Sequence, residues 1–276
     1  MRWAVSWLKK TVMKYYLLTI IFLFAYSYAK ACSCDRSWQE TNNHYIASDF
    51  VGIVTINQVF DSPNRESNTF KIEVNTEKVY KGNKISTLHV YGNRGHGIIS
   101  SCDIGSMHQG KEWIIYATKN NEGKLSFGWC SNSKPMVKEW FDGKAKQNRQ
   151  QDIDRELKIL QYLSLSLPNF KRNYSVQPIG TNLSNYLEQY DGIELPPSSF
   201  YQYLITFDRN LNVQSLKILK GLNEQFDADF IDYLKNKVEW KVSYGDIPKT
   251  KFQYVFGVFY YNDQENGHRF LSPFEL

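Results

Sequence analysis

The 276 residues carry 33 Lys and Arg against 28 Asp and Glu, with 42% hydrophobic residues and an aromatic share of 16% that is heavy in Tyr and Phe. The positive excess sits in the first 31 residues, where Arg2, Lys9, Lys10, Lys14 and Lys30 face no acid; the other 245 residues hold 28 basic and 28 acidic side chains. That balance gives no excess or cluster of positive charge with which to bind nucleic acid or an anionic membrane surface, and the length suits one or two domains.

In chain order, four basic residues precede an apolar run from Tyr15 to Tyr28, and Ala29-Lys30-Ala31 follows. This reads as a signal peptide over residues 1–31, so the protein is expected to be exported: secreted, periplasmic or at the cell surface. The run is shorter than the roughly 20 apolar residues that cross a bilayer, so no stable membrane span is expected after cleavage. Cleavage after Ala31 exposes Cys32, cleavage after Ala29 leaves Lys30-Ala31 in front of it, and lipidation of Cys32 is a third outcome.

Cys32 and Cys34 are matched by two later cysteines, Cys102 and Cys130. In an exported chain four cysteines read as two disulfides, for which sequence permits three pairings. Cys32 and Cys34 are too close to pair with one another, so each is expected to reach forward. The closed loops of roughly 70 to 100 residues would constrain the unfolded chain by on the order of 4 kcal/mol each in the entropy model. A structural zinc on four thiolates is the weaker alternative, because Cys102 and Cys130 form no second knuckle.

Between the cysteines the pattern predicts strands over 48–56, 68–80 and 85–91, then a hairpin of 112–117 with 124–129 around Asn120-Asn121-Glu122-Gly123. Five short strands suggest a small closed or partly open barrel. Ile153, Leu157, Leu160 and Leu163 recur at helical spacing over 149–163. The mixed charges from Lys144 to Arg155 are read as a solvated helix face, and the pairs Asp152/Asp154 and Asp227/Asp229 as helix-start residues favoured by the macrodipole. Residues 166–198 read as a linker. The last part predicts strands over 201–207 and 213–219, a helix over 224–237 with Phe226, Phe230, Ile231 and Leu234 on one face, and a strand over 252–261.

Enzymatic motifs are missing from the sequence. The five histidines have no metal-ligand spacing, no Gly-x-Ser-x-Gly elbow occurs, and Gly92 to Gly97 lacks the Lys-Ser/Thr ending of a phosphate loop. The protein is therefore expected not to be an enzyme and to carry neither a cofactor nor an intrinsic metal.

Cys32-Ser33-Cys34, Asp49-Phe50-Val51-Gly52, the 70–82 segment ending Lys78-Val79-Tyr80-Lys81-Gly82, Ser100-Ser101-Cys102 and Gly110 to Ala117 before Cys130 together resemble tissue inhibitors of metalloproteinases over about residues 32–140. The resemblance implies a netrin-like OB-fold with disulfides Cys32–Cys102 and Cys34–Cys130. It also implies a mechanism in which the α-amine and carbonyl oxygen of a mature N-terminal Cys32 chelate the zinc of a metalloprotease, replacing water in the open coordination position. Ser33 and Cys34 would then enter the protease cleft, with Ser100, Ser101 and Cys102 as a second contact edge. The chain departs from the vertebrate inhibitors in having no third disulfide in this domain and no cysteine-rich C-terminal domain. From 199 onward the order of elements, with Trp240 after the helix, resembles the C-terminal domain of TonB-type proteins, which implies an envelope protein or extended peptide as partner at a sheet edge.

The expected architecture is mainly β with an α+β second domain. It consists of the signal peptide (1–31), a five-stranded OB-fold barrel with a flanking C-terminal helix (32–165), a linker (166–198) and a small β-β-α-β domain (199–276). The leading functional expectation is zinc-chelating protease inhibition; the alternative is a non-inhibitory extracellular or cell-envelope binding module stapled by its disulfides.

Overall fold

A computed structural model describes residues 34, 40–96, 104, 107–136, 143–170, 175–180, 182–245, 248–263 and 267–275. Strands β1 (Phe50–Val59), β2 (Thr69–Lys81), β3 (Thr87–Tyr91), β4 (Glu112–Lys119) and β5 (Leu125–Phe127) run β1-β2-β3-β5-β4, and β1 pairs again with β4 to close the ring. All these pairings are antiparallel except β3 with β5. This is the expected five-stranded barrel with OB-fold strand order; a short β6 (Lys134–Pro135) adds to β4.

Side-chain alternation explains why β4 reads as an unbroken apolar run. Trp113, Ile115 and Ala117 join Phe50, Val54, Ile72, Leu88, Val90 and Phe127 inside the barrel, whereas Ile114 and Tyr116 point outward into a second buried layer. Closure of so small a barrel needs sharp bends in β1, and its pairing with β2 shifts register between Val51 and Gly52 and again between Ile53 and Val54. Gly52 is required there: a Cβ would lie 2.5 Å from the Lys78 carbonyl oxygen and 2.8 Å from the Phe50 ring. Gly82 ends β2 with φ +83° and would place a Cβ 2.5 Å from the Asp49 carbonyl oxygen.

The outward layer is covered by α1 (Glu40–Ala47) and α2 (Gly143–Ser166). Tyr45 and Ile46 of α1, and Ile153, Ile159, Leu160 and Leu163 of α2, pack with Val51, Tyr80, Ile114 and Tyr116 of the barrel and with Phe200, Val255 and Phe259 of a separate sheet. Lys81 fastens α1: its buried ammonium donates to the carbonyls of Tyr45 (2.7 Å), Ile46 (2.9 Å) and Phe170 (3.1 Å). It thereby satisfies carbonyls at the end of the helix, which have no intrahelical donor.

That separate sheet has the order β12-β11-β8-β9, from β8 (Phe200–Phe207), β9 (Val213–Lys220), β11 (Phe252–Asp263) and β12 (His268–Ser272). Helix α4 (Glu224–Asn236) starts where Asn223 Oδ1 accepts the Phe226 N–H at 2.9 Å, and it buries Phe226, Phe230 and Leu234 against the sheet. The segment expected as a linker carries structure of its own. Its strand β7 (Ser175–Pro178) pairs with β10 (Trp240–Tyr244), and α3 (Asn182–Glu188) buries Leu183 and Leu187 in the same core as α4. Helix α2 starts at Gly143, so Asp152 and Asp154 lie in its third and fourth turns and not at its start. No helix among the described residues is long and apolar enough to cross a membrane.

Candidate functional site

Strand β5 ends at Phe127, and Gly128 leads into a 3-10 turn, Trp129–Ser131, closed by a hydrogen bond from the Ser131 N–H to the Gly128 carbonyl. Asn132 follows in the left-handed region at φ 61° and turns the chain back toward β4. There Ser133 Oγ accepts the Tyr116 N–H at 2.9 Å and the Ser131 hydroxyl at 2.8 Å, while the Met136 N–H reaches the Glu112 carbonyl at 2.9 Å. The turn is thus tied to the barrel wall on both sides of Cys130. Cys130 bridges to Cys34, with 5.3 Å between their Cα atoms across 96 residues of sequence.

Of the residues singled out from sequence, the structure brings Cys34 and Cys130 together. Cys32, Ser33, Ser100, Ser101 and Cys102 lie outside the described residues, and with them the Cys32–Cys102 pair. Next to the bridge, Trp129 is 56% exposed and Tyr91, at the end of β3, is 45% exposed. The parallel pairing of Val90 with Phe127 sets Tyr91 and Gly128 side by side. A Cβ on Gly128 would come within 3.1 Å of Tyr91 Cβ, so Tyr91 lies against the residue that precedes Trp129.

A second concentration of chemistry is buried and was missed in the sequence. Glu156 of α2 accepts the Tyr116 hydroxyl at 2.6 Å and pairs with Lys134 at 2.9 Å. His44 sets its ring edge-on to Tyr116 with centroids 6.0 Å apart. Burial, reinforced by the Lys134 charge, holds the His44 imidazole down to about 4, and burial beside Glu156 raises the Tyr116 hydroxyl well above its ordinary value. Glu275 closes the cluster, its carboxylate accepting the Thr41 N–H at 2.8 Å and the Thr41 hydroxyl. Burial pushes that carboxyl up to about 7, with the Glu156 charge adding to the push and the two Thr41 hydrogen bonds opposing it.

Arg155, read from sequence as part of a solvated face, is buried as well. Its guanidinium lies 4.1 Å from the Tyr261 ring centroid and 3.3 Å from Asp152. These groups pair inside packed structure, an arrangement suited to joining elements, although Arg155 Nε is buried without a hydrogen-bond partner. Among the described residues no group of His, Cys, Asp and Glu is arranged to hold a metal ion. The one signal available in sequence was Glu156 standing between Ile153, Leu157 and Leu160 of the apolar stripe.

The edges of the separate sheet are β9 and β12, and β9 alternates exposed with half-buried residues and has none fully buried. No protein-family model matches the chain, and no curated protein sequence matches it.

Proposed function

We propose that the protein is an exported inhibitor of zinc metalloendopeptidases, acting through the α-amine and carbonyl oxygen of Cys32 as the first residue of the mature chain. The observation that carries this reading is the bridge from Cys34 to Cys130 at the end of a closed OB-type barrel. An N-terminal chelating group is effective only when its approach geometry is set in advance, because ordering a free tail on binding costs affinity. A disulfide two residues downstream supplies that constraint, and the hydrogen bonds of Ser131 and Ser133 to the barrel hold the far side of the bridge. In the complex the amine takes the position of the zinc-bound water, and Ser33 faces the cleft beyond the metal. Binding needs an unprotonated, unblocked amine.

The test combines intact-mass and N-terminal peptide analysis of the exported protein with inhibition assays on the same sample. A mature chain starting at unmodified Cys32, bridged to Cys102, that inhibits hydrolysis of a fluorogenic peptide by a matrix-type zinc endopeptidase supports the proposal. A chain starting at Lys30, or a lipidated Cys32, would overturn it and favour the binding-module alternative.

A further inference from the structure

We propose that the cavity between α3 and α4 is a binding site for a short alkyl diammonium ion, held by the carboxylates of Asp229 and Asp232 against the rings of Tyr186, Tyr190 and Tyr233. The cavity has a volume of about 340 Å³, and Lys237 lines it as well as these five residues. That volume lies in the range of small-molecule sites, which often form between helices. The site stands independently of the inhibitor reading.

Helical spacing builds the walls. Tyr186 lies in α3, and Tyr190 follows four residues on in the turn after it, where its N–H donates to the Leu187 carbonyl at 3.0 Å. On α4, Phe226, Phe230 and Tyr233 share one face. Tyr186 stacks on Tyr233 with centroids 4.0 Å apart and on Phe230 at 5.9 Å, while Tyr190 meets Phe226 edge-on at 4.8 Å. The Tyr233 hydroxyl donates to the Asn182 carbonyl at 2.7 Å, and the Tyr186 and Tyr190 hydroxyls lie 3.4 Å apart. The rings are thus fixed before a ligand arrives, and little is lost in ordering them on binding.

Charge selects the occupant. Asp229 and Asp232 stand three residues apart on α4, which makes them neighbours on the helix surface with Cβ atoms about 5–6 Å apart. Each has one carboxylate oxygen taken by an amide, from Gln225 to Asp229 at 2.8 Å and from Asn236 to Asp232 at 2.7 Å. No Lys, Arg or His among the described residues forms an ion pair with either carboxylate. The second oxygen of each is open to a charge-assisted hydrogen bond from an ammonium group. Burial, then the Tyr190 hydroxyl and the Asp229 charge, raise the Tyr186 hydroxyl, so that ring stays neutral and keeps the negative face that attracts a cation. A four-carbon chain spans the two carboxylates, and its alkyl body lies along the tyrosines. Lys237 brings one like charge to the cavity and limits the affinity. A neutral polyol gains no charge-assisted bond from the paired carboxylates, and an anion is repelled by them.

The experiment titrates 1,4-diaminobutane into the full exported protein by isothermal calorimetry at low ionic strength. The neutral isostere 1,4-butanediol and the peptide Gly-Lys-Gly, a lysine side chain on a backbone, are titrated in parallel. The variants are the double substitution Asp229→Asn with Asp232→Asn, at two exposed positions, Lys237→Met, and Glu224→Gln as a control that removes an exposed charge of α4 outside the cavity. The expected result is one saturable site for the diamine and none for the diol. Binding should weaken at least tenfold in the double variant, tighten two- to fivefold in Lys237→Met and stay unchanged in Glu224→Gln. No saturable diamine binding, equal binding of the diol, or binding within twofold of wild type in the double variant overturns the inference. Lys237→Met tests it separately from any loss of folding in the double variant, since unchanged or weaker binding there overturns it too. A peptide that binds tenfold more tightly than the diamine overturns the assignment to a free diamine and makes the cavity a site for a partner's lysine side chain.

Discussion

Substituting Glu275 by Gln isolates the buried carboxyl that joins residues 273–275 to α1. In the folded protein this group titrates at about 7 against an ordinary 4.5. A displacement of that size corresponds to about 3 kcal/mol at 1.36 kcal/mol per pH unit. The sign follows from proton uptake: between pH 4.5 and 7 the folded state keeps a proton that the unfolded chain has released, so stability falls as pH rises and reaches its floor above 7. His44 acts in the opposite sense, since its imidazole is held at about 4 against an ordinary 6.5. The unfolded chain binds a proton that the folded protein refuses, so stability is lost as pH drops from 6.5 toward 4. Over pH 4.5 to 6.5 the two slopes cancel, and the wild type is nearly indifferent to pH there. Gln keeps a carbonyl oxygen for the Thr41 N–H and has no charge to desolvate. Urea unfolding of both proteins at half-unit steps from pH 4 to 8.5 should show equal stability at pH 4. The variant should be about 3 kcal/mol more stable at pH 8, and its curve should rise between pH 4 and 6.5 because His44 is no longer offset. Equal stabilities at pH 8, or a variant profile as flat as the wild type's, would refute the reasoning.

Lys81→Met removes the donor for three carbonyls at the end of α1 and beyond α2 and should cost about 3–5 kcal/mol, as expected when a buried charged group is taken from its partners. Thermal unfolding would show a melting point lower by roughly 10 °C, and an unchanged one would contradict the role assigned to Lys81. Gly52→Ala forces a methyl group to 2.5 Å from the Lys78 carbonyl oxygen, so β1 must shift against β2. A loss of about 2–3 kcal/mol in urea unfolding is expected, and a neutral result would mean that the bend in β1 relaxes freely.

Among the barrel strands β2 was legible from its period of two, whereas β1 and β4, with both faces largely buried near the outer layer, were legible as continuous apolar runs. The predicted strands over 48–56 and 68–80 match β1 and β2 to within a few residues, and the hairpin around 120–123 is formed by β4 and β5. Helix α1 left no readable pattern, since its buried face includes Thr41 and Asn42 beside Tyr45 and Ile46. Asn42 is accommodated by a reciprocal amide pair with Gln202, at 3.1 and 3.2 Å, which is 160 residues away. No local reading can supply a partner at that distance. The same holds for Arg155 and Glu156, whose charges look solvated in sequence and are buried because Tyr261, Tyr116 and Lys134 receive them. Strand β7 and helix α3 are short elements that exist through their contacts with β10 and α4, so their sequence reads as a linker. At the candidate site, the Cys34–Cys130 pairing was implied by the resemblance of the cysteine order, whereas the exposure of Trp129 depends on the 3-10 turn and has no sequence signature.

The central claim is that an unblocked amine on Cys32 is the ligand offered to a protease's zinc. The direct measurement compares inhibition of one zinc endopeptidase by two otherwise identical proteins, one beginning at Cys32 and one carrying a single additional Ala before it. The account predicts a loss of at least about 100-fold for the extended protein, equivalent to roughly 2.7 kcal/mol of binding, with identical melting temperatures and disulfide maps. Equal inhibition by the two proteins would contradict zinc chelation at Cys32.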